Sequence, residues 1–415
     1  MAIRRPTRPA RRHRGARRVA LGLAALLALA PLTGCSPDQV TVRGHGYGHG
    51  RGMSQWGALG YAVDHGWTGT QILDHFYGGT WTVSVPASQQ KVYLAATKGR
   101  DLVVTQTDAA LRVDGYATDV AAVKISRIGN GRFRVWRGSG CGGPWTLVGD
   151  RSAASVTVRP SLPQGDDVDR FMQLCTATGT TYYRGIVRAV DALGTIVTVN
   201  EVHIESMLRS VVAKEVSPSW ADAGGGRGAA AVRAQAIAAR SYALSGDTRW
   251  GSWATTCDTS TCQMYVGYGT RASGSSTIAR FEDNRTTRAV TATAGQVRAF
   301  SGGRIARTEF SASSGGWTAG GDYPAVVDEG DDYAGNANHS WSVTLTRAAI
   351  ESAFDRRQGK DMGTFNGFDS YKRNGKGDLG GRVTSVRARF SKGDVTLTGD
   401  QMRTLFGLKS NWFAA

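Results

Sequence analysis

The sequence predicts an α+β fold, a β-rich chain with a few amphipathic helices. Residues 90–160 contain short apolar runs such as KVYLAA and RFRVWRG between Gly, Asp and Asn residues, a pattern typical of strands joined by tight turns. Residues 204–212 carry apolar side chains at intervals of three and four, the period of an α-helix. Residues 228–244 are rich in alanine and are predicted to form a second helix. We expect these two helices to form the centre of the fold.

The first 34 residues differ from the rest of the chain. They contain eight arginines and no acidic residue, and the apolar run VALGLAALLALAPL occupies residues 19–32. This run is too short to span a bilayer permanently, so residues 1–34 are predicted to be a signal peptide. The letters LTGC (32–35) resemble a bacterial lipobox, which predicts a lipid on Cys35 as the mature N-terminus. Ordinary secretion is the alternative. Either way we expect an exported, extracytoplasmic protein, anchored to the outer face of the membrane if Cys35 is lipidated.

The charge of the chain favours an anionic partner. The formal net charge is +17, and removing the eight leader arginines leaves 42 basic against 33 acidic residues, a net charge of +9. Outside the cell this charge suits cell wall or a lipid surface. The chain has no fingerprint of a nucleic-acid-binding module, so we expect no nucleic acid partner.

The cysteines predict two disulfides. Without Cys35 an even four remain, as expected for a protein outside the reducing cytosol. Local pairing joins Cys257 with Cys262 and leaves Cys141 for Cys175. Zinc at Cys257 and Cys262 is the alternative, but no histidine lies near them to complete the ligands.

Glycine alternates with larger residues in GHGYGHGRGMSQWGALGYA, residues 44–62. If the segment is extended, its polar and aromatic side chains share one face and the bare face can press against another backbone. The alternating residues are Arg43, His45, Tyr47, His49 and Arg51. A flexible glycine linker is the alternative. Helices are predicted over 54–65 and 68–79.

Glu215 is the first candidate for chemistry. A hairpin over 181–200 leads into the helix that starts near Ile204, with Asn200 as a candidate N-cap and Pro218 after its end. Glu215 lies eleven positions after Ile204, so it projects within about 20° of the apolar stripe. A partly desolvated carboxyl has a raised pKa and can act as a general acid. The alternative is a glutamate at a fraying helix end that points into water.

A second acid near Glu215 would change the chemistry. Glycoside hydrolysis usually needs two carboxylates roughly 5–9.5 Å apart. Glu205 is about 15 Å from Glu215 along a helix axis, too far to pair with it. Unless Glu309 or Asp258 folds close, the site has one acid, which points to a reaction that needs no base to activate water.

The remaining candidates have competing interpretations. Gln235 lies beside the apolar stripe of the second helix and could reach a ligand, and Arg240 is another possible ligand-binding group; for both, a solvent-facing position is the alternative. SASSGG (311–316) could supply Ser313 or Ser314 to a serine hydrolase, but no G-x-S-x-G turn is present. His45 and His49 lie among glycines and do not form a helical metal-binding pair. We expect no metal and no cofactor.

Several motifs together resemble the stage II sporulation protein D family (SpoIID/LytB). They are YRGIVRAV, IVTVNEVHIESMLRSVVAKEVSPSW, AAAVRAQAIAARSYAL, CQMYVGY, FSASSGGWT and GHGYGHGRGMSQWGALGYA. The resemblance touches most of residues 90–412 as well as 41–80. Val216 stands where the family has Met, and Lys214 where a small residue is common.

The order of these motifs departs from the family pattern. G-H-G-x-G-M-S-Q normally comes last, whereas here it opens the mature chain and LTGDQMRTLFGLKSNWF ends it. This resembles a circular permutation, and it predicts that residues 41–80 pack against 395–413 and the core. The resulting segments are a signal peptide (1–34), a relocated segment (36–82), a β-rich region (86–180), a SpoIID-like core (181–320) and a C-terminal α+β region (321–415).

The resemblance implies a lytic transglycosylase that acts on peptidoglycan glycan strands stripped of their peptides. Glu215 matches the family's acid/base, and the product would carry a 1,6-anhydro-muramyl end. The residues expected to bind substrate are Gln235, Arg240, Ser313, Ser314, His45, His49, Ser54, Gln55, Gln263 and Tyr265. Some members are regarded as modifiers of a cell-wall amidase, so a non-catalytic glycan binder is the alternative. The family name also raises a role in sporulation.

Overall fold

Short strands in antiparallel sheets make up most of the fold of this computed structural model, as the turn-punctuated sequence predicts. The structure describes residues 38–415 apart from 109, 117, 118 and 247. The predicted signal peptide and Cys35 therefore lie outside the described residues. In the described part of the chain, no helix is long and apolar enough to cross a membrane.

The strands are numbered in chain order. They are β1 (Gln39–His45), β2 (Met53–Ser54), β3 (Trp81–Ser84), β4 (Gln89–Leu94), β5 (Leu102–Thr105), β6 (Leu111–Val113), β7 (Ala122–Gly129), β8 (Arg132–Gly138), β9 (Thr146–Ser152), β10 (Ser155–Pro160), β11 (Met172–Thr176), β12 (Gly179–Tyr183), β13 (Ile186–Ala192), β14 (Thr195–His203), β15 (Thr256–Cys257), β16 (Gly269–Ala272), β17 (Ala279–Arg280), β18 (Gln296–Ala299), β19 (Phe310–Ser311), β20 (Ser340–Thr346), β21 (Phe365–Arg373), β22 (Val383–Phe390), β23 (Gly393–Leu397) and β24 (Phe413–Ala414).

The helices are fewer, and short 3₁₀ turns separate some of the strands. The α-helices are α1 (Gln55–Val63), α2 (Gly69–Phe76), α3 (Ile204–Glu215), α4 (Ala229–Leu244), α5 (Asn284–Ala292), α6 (Arg347–Gln358) and α7 (Gly399–Phe406). The 3₁₀ turns are Ala95–Thr97, Val168–Arg170, Pro218–Asp222, Thr248–Trp250, Glu329–Asp332 and Asp378–Gly380.

Two large sheets share a hydrophobic core with α3 and α4. A six-stranded sheet has the order β15-β4-β14-β13-β10-β6, and an eight-stranded sheet has the order β17-β16-β12-β11-β5-β7-β8-β9. Smaller sheets join β20-β1-β24 and β21-β22-β23, and the pairs β18-β3 and β19-β2 complete the set. The β13–β14 hairpin leads directly into α3, as predicted.

Helix α3 buries the apolar stripe that the sequence predicts. Ile204, Met207, Leu208, Val211 and Val212 are each at most 1% exposed. Asn200 is not the N-cap: it lies within β14, and its amide donates to the carbonyls of Arg184 and Ile186. His203 takes that place, because its Nδ1 accepts from the backbone N–H of Glu205.

Helix α4 is alanine-rich because it packs on both sides. Val232, Ala236 and Ala239 join the core formed by α3 and the sheets, whereas Ala234 and Ala238 join the core formed by α1 and α2. Small side chains let the neighbouring elements approach closely. This helix therefore connects the N-terminal segment to the rest of the fold.

The N-terminal segment lies between distant parts of the chain. Strand β1 pairs with β20 on one side and with β24 on the other, and β2 pairs with β19. Helix α1 contacts α4 and the turn at 329–332. Residues 41–80 therefore pack against both the C-terminal end and the core, which is the contact that a permuted order requires. The permutation itself stays a prediction.

The glycine alternation is extended only as far as His45. Gly46, Gly48, Gly50 and Gly52 all have φ between +63° and +106°, so the chain turns repeatedly and does not continue as a strand. The bare sides nevertheless press against neighbours: a Cβ on Gly52 would lie 2.0 Å from the carbonyl oxygen of Glu309. The expected close contact is present, but the expected strand is not.

Candidate active site

A cleft of about 290 Å³ opens beside the C-terminal end of α3, and we call it the Glu215 cleft. Its lining comes from the N-terminal segment, α3, α4, the loop at 260–264 and β19. The lining residues are His49, Arg51, Glu215, Tyr242, Ser260, Thr261, Cys262, Met264, Glu309 and Phe310. A cleft of about 310 Å³ on the eight-stranded sheet is lined mainly by apolar side chains and by no acid, so it lacks groups for acid–base chemistry.

Glu215 is half-buried at the last position of α3. Burial raises the pKa of its carboxyl above the ordinary 4.5. The backbone N–H of Met264 donates a 2.9 Å bond to Oε1 and opposes this rise. The Gln55 amide acts in the same direction, although its nitrogen makes no hydrogen bond of ordinary distance and angle. A carboxyl in this environment can retain a proton at higher pH than an exposed one and donate it to a ligand.

Glu309 brings a second carboxylate to the same cleft. The sequence left open whether Glu309 folds close to Glu215, and the structure places both in the lining of one cleft, so the site does not have a single acid. Arg51 holds both oxygens of this carboxylate, from Nε to Oε2 at 2.6 Å and from Nη2 to Oε1 at 2.9 Å. Burial alone would raise the pKa of Glu309, but the hydrogen bonds and charge of Arg51 outweigh it and lower the pKa. Glu309 is therefore ionised, and its basicity is weak.

His49 is the only one of the two motif histidines that lines the cleft. Burial and the charge of Arg51 lower its pKa to about 4, so its ring is neutral near pH 7. Its Nδ1 accepts from the backbone N–H of Arg51 at 3.0 Å. The proton of the neutral ring is therefore on Nε2, which makes that nitrogen a hydrogen-bond donor.

A disulfide-closed loop forms another wall of the cleft. Cys257 joins Cys262, and Cys141 joins Cys175, which are the predicted pairs. The first loop presents Ser260 and Thr261 to the cleft and is followed by the Met264 N–H that bonds Glu215. Among the described residues, no group of three or more His, Cys, Asp or Glu side chains is arranged to hold a metal.

Ser54, Ser313 and Ser314 do not face the cleft, and the structure corrects their predicted contact with substrate. The hydroxyls of Ser54 and Ser313 donate to Asp331, which also accepts from the backbone of Ser314 and Gly315. The Ser314 hydroxyl donates to Asp328. All three serines are at most 1% exposed. The hydrogen bonds of Ser54 to Asp331 and to the backbone of Ser314 hold residues 44–57 against residues 310–340.

Two buried carboxyls in that network differ in protonation. Burial would raise the pKa of Asp331, but hydrogen bonds from His339, Ser54 and Ser313 outweigh it and lower the pKa. Burial and the nearby charge of Asp331 raise the pKa of Asp328 well above its ordinary value. Asp331 is thus the charged member of the pair, and Asp328 keeps its proton.

Arg240 and Tyr265 are also buried inside the protein. The prediction that they bind substrate is therefore not supported. Arg240 is fully buried and donates from Nε and Nη2 to the carboxylate of Glu205, at the opposite end of α3 from Glu215. The Tyr265 hydroxyl donates to the side chain of Asn200. Their role is to hold the helices and strands together.

The remaining predicted residues do not line the cleft. Gln263 is 2% exposed and its amide donates to the carbonyl of Ala239. Gln235 is 1% exposed, lies two helical turns before Tyr242 on the same side of α4, and has no hydrogen-bond partner for its amide. His45 packs against Trp412 and His339, away from the cleft.

Sequence reasoning missed several residues of the lining, including Arg51, Tyr242 and Met264. Arg51 belongs to the alternating segment, so its place beside His49 was a usable signal. Asp258 was named as a possible second acid, but its Oδ1 accepts from the backbone N–H of Ala95 and it does not line the cleft. The Met264 contribution comes from the backbone, which no side-chain pattern reveals.

Comparison with known proteins finds a family match for the part of the chain that contains Glu215. Residues 192–300 match the family model SpoIID, described as Stage II sporulation protein. The match covers α3, α4 and α5 and includes Glu215 and the disulfide-closed loop. No curated protein and no solved structure matches the chain. The chain therefore carries a domain of the SpoIID family, and with it a cell-wall-related role.

Proposed function

We propose that this chain is a lytic transglycosylase that cleaves peptidoglycan glycan strands stripped of their peptides. The observation that carries the proposal is the half-buried Glu215, which has a raised pKa and lines an open cleft. The SpoIID domain over residues 192–300 supports a substrate in the cell wall.

The reaction needs one group that first gives and then takes a proton. Glu215 donates its proton to the glycosidic oxygen as the bond from C1 of muramic acid to that oxygen breaks. The 6-hydroxyl of the same sugar then forms a bond to C1 and gives its proton to the Glu215 carboxylate. The product is a 1,6-anhydro sugar, and the enzyme returns to its starting protonation state.

Glu309 favours one competing function, glycoside hydrolysis. A hydrolase would use it as a base for water or as a nucleophile. Both of its oxygens are bound by Arg51, and its lowered pKa makes it a poor proton acceptor. These observations support the transglycosylase over the hydrolase.

The products distinguish the candidates. The purified chain is incubated with peptide-free glycan strands, and the new ends are identified by mass spectrometry. We expect 1,6-anhydro ends that vanish in Glu215→Gln. Reducing ends would show a hydrolase, and binding without cleavage would favour a non-catalytic partner of a cell-wall amidase.

A further inference from the structure

Arg307 lies behind the lining of the Glu215 cleft and contacts Tyr242, one of the lining residues. Its guanidinium stacks on the ring of Tyr242 at 4.2 Å, and Nη2 donates to the Tyr242 hydroxyl at 2.7 Å. Nη1 donates to the carbonyl of Gly246 at 3.3 Å. These contacts use two of the five N–H groups of the side chain, so the guanidinium is oriented and retains donors.

In the described part of the chain, no acidic side chain around the cleft compensates the charge of Arg307. Arg51 and Glu309 neutralise each other, His49 is uncharged near pH 7, and Glu215 has a raised pKa. The charge of Arg307 helps to lower the pKa of Glu309, but both carboxylate oxygens of Glu309 are bound by Arg51. Among the described residues, no carboxylate forms an ion pair with Arg307, so this edge of the cleft favours an anion.

A peptide-stripped glycan strand supplies a suitable anion. In intact peptidoglycan the lactyl carboxyl of muramic acid is bound as an amide to the stem peptide. Removing the peptide frees this carboxyl, which is ionised near pH 7. The charge is on the same sugar whose C1 would be attacked, whereas N-acetylglucosamine carries none.

We propose that Arg307 binds the lactyl carboxylate of peptide-free muramic acid and so makes the Glu215 cleft selective for stripped strands. The inference rests on the proposed function, because it takes the substrate from it. A planar guanidinium matches a carboxylate through paired N–H groups. Arg51 is less suited to the role, since a substrate carboxylate there would displace Glu309 and leave it unpaired.

The test compares binding of two glycans of equal length. The full chain carrying Glu215→Gln, which prevents turnover, is titrated with peptide-free strands containing muramic acid and with chitin oligosaccharides, which lack the carboxylate. We expect Arg307→Gln to weaken binding of the muramic acid strands about three- to tenfold and to leave chitin binding unchanged. Arg307→Lys should retain most of the preference, and added salt should reduce it.

Arg304→Gln is the matched control. Arg304 stacks on Phe300 at 4.3 Å and does not line the cleft, so its loss removes one positive charge without affecting the preference. An equal loss for both glycans in Arg307→Gln, no loss for either, or no binding of either glycan by the parent would overturn the inference. If Arg307→Gln does not fold, a preference in Arg307→Lys that is insensitive to salt would overturn it.

The same experiment separates this inference from the proposed function. A preference that depends on Arg307, in a protein whose wild type forms no anhydro ends, would retain the carboxylate site and reject the transglycosylase. Anhydro ends together with an unaltered preference in Arg307→Gln would do the opposite.

Discussion

The backbone N–H of Met264 donates a 2.9 Å hydrogen bond to Oε1 of Glu215, linking the loop after the 257–262 disulfide to the last residue of α3. One hydrogen bond to a charged group contributes about 1.5–3 kcal/mol, so this contact stabilises the ionised carboxyl without cancelling the effect of burial. The acid is thus held in one orientation and still keeps a raised pKa.

The pH dependence of cleavage should report Glu215. In the proposed reaction the protonated carboxyl is the active form, so kcat/KM should fall as pH rises through a pKa above 4.5. Gln55 lowers the pKa of Glu215 because it favours the ionised carboxyl. In Gln55→Leu the fall in kcat/KM should therefore occur at higher pH. Rates of strand cleavage between pH 4 and 9 check both effects. If kcat/KM falls at the same pH in Gln55→Leu as in the wild type, the Gln55 amide does not lower the pKa of Glu215.

Replacing Glu309 should affect the rate only modestly. The ion pair with Arg51 is partly exposed, so its loss should cost less than about 1 kcal/mol of stability. We expect Glu309→Gln to lower kcat less than tenfold and to leave 1,6-anhydro ends as the product. Mass spectrometry of the products checks this, with Glu215→Gln as the inactive control. A loss of activity as complete as in Glu215→Gln would give Glu309 a direct part in the chemistry.

The two disulfides should have opposite consequences for activity and stability. Cys257 and Cys262 are 5 positions apart, and their bond should contribute about 2 kcal/mol, whereas the Cys141–Cys175 bond closes a 34-residue span and should contribute about 4 kcal/mol. Only the first borders the cleft. The double serine variant at 257 and 262 should lose kcat through the loop that carries Met264.

The variant at 141 and 175 is the matched control, because it should lower the melting temperature more and leave kcat unchanged. Thermal unfolding and cleavage rates of the two double variants measure these effects. Equal kcat in both variants would show that the disulfide-closed loop does not position Met264.

Asp328 should make the protein less stable at higher pH. Its folded pKa lies above the ordinary 3.8, so the folded state binds a proton that the unfolded chain has lost. Between those two pKa values, stability should fall by up to about 1.4 kcal/mol per pH unit. Asp328→Asn should remove this slope, because an amide can still accept from Ser314 and does not ionise. Urea unfolding across pH 4–9 measures it.

Asp64→Asn provides the control, since Asp64 is exposed at the end of α1. That variant should keep the wild-type slope. A slope that persists unchanged in Asp328→Asn would place the responsible proton elsewhere.

Helices α1 to α4 were predicted from the sequence because their causes are local, whereas α5 was not predicted. The spacing of Ile204, Met207 and Val211 determines which side of α3 is buried, and Glu215 follows from the same geometry. The start of α2 is likewise local: Thr68 and Gln71 form a capping box, a motif that spans only four residues.

The internal polar network was not predictable in the same way. Ser54 bonds Asp331 across 277 positions, and Arg382 donates to the carbonyl of Ser314 across 68. A local sequence pattern does not indicate partners this far apart. Ser54 and Ser313 were therefore predicted to bind a sugar, although they hydrogen-bond to Asp331 inside the protein. The prediction that the glycine segment is extended was wrong for a related reason: the glycines after His45 lie close to Ser311, Ser314 and Arg382, which are distant in the sequence.

The position of β1 between β20 and β24 affects how the protein is made. Strand β1 is among the first described residues to leave the ribosome, yet its second neighbour, Phe413–Ala414, is translated only after every residue that lines the Glu215 cleft. The segment that follows β1 and supplies His49 and Arg51 to the cleft also contacts Lys409 through Gly48. A nascent chain therefore cannot complete the pairing of β1 until residues 413–414 have been made, so the segment that carries His49 and Arg51 is held on both sides only after that point.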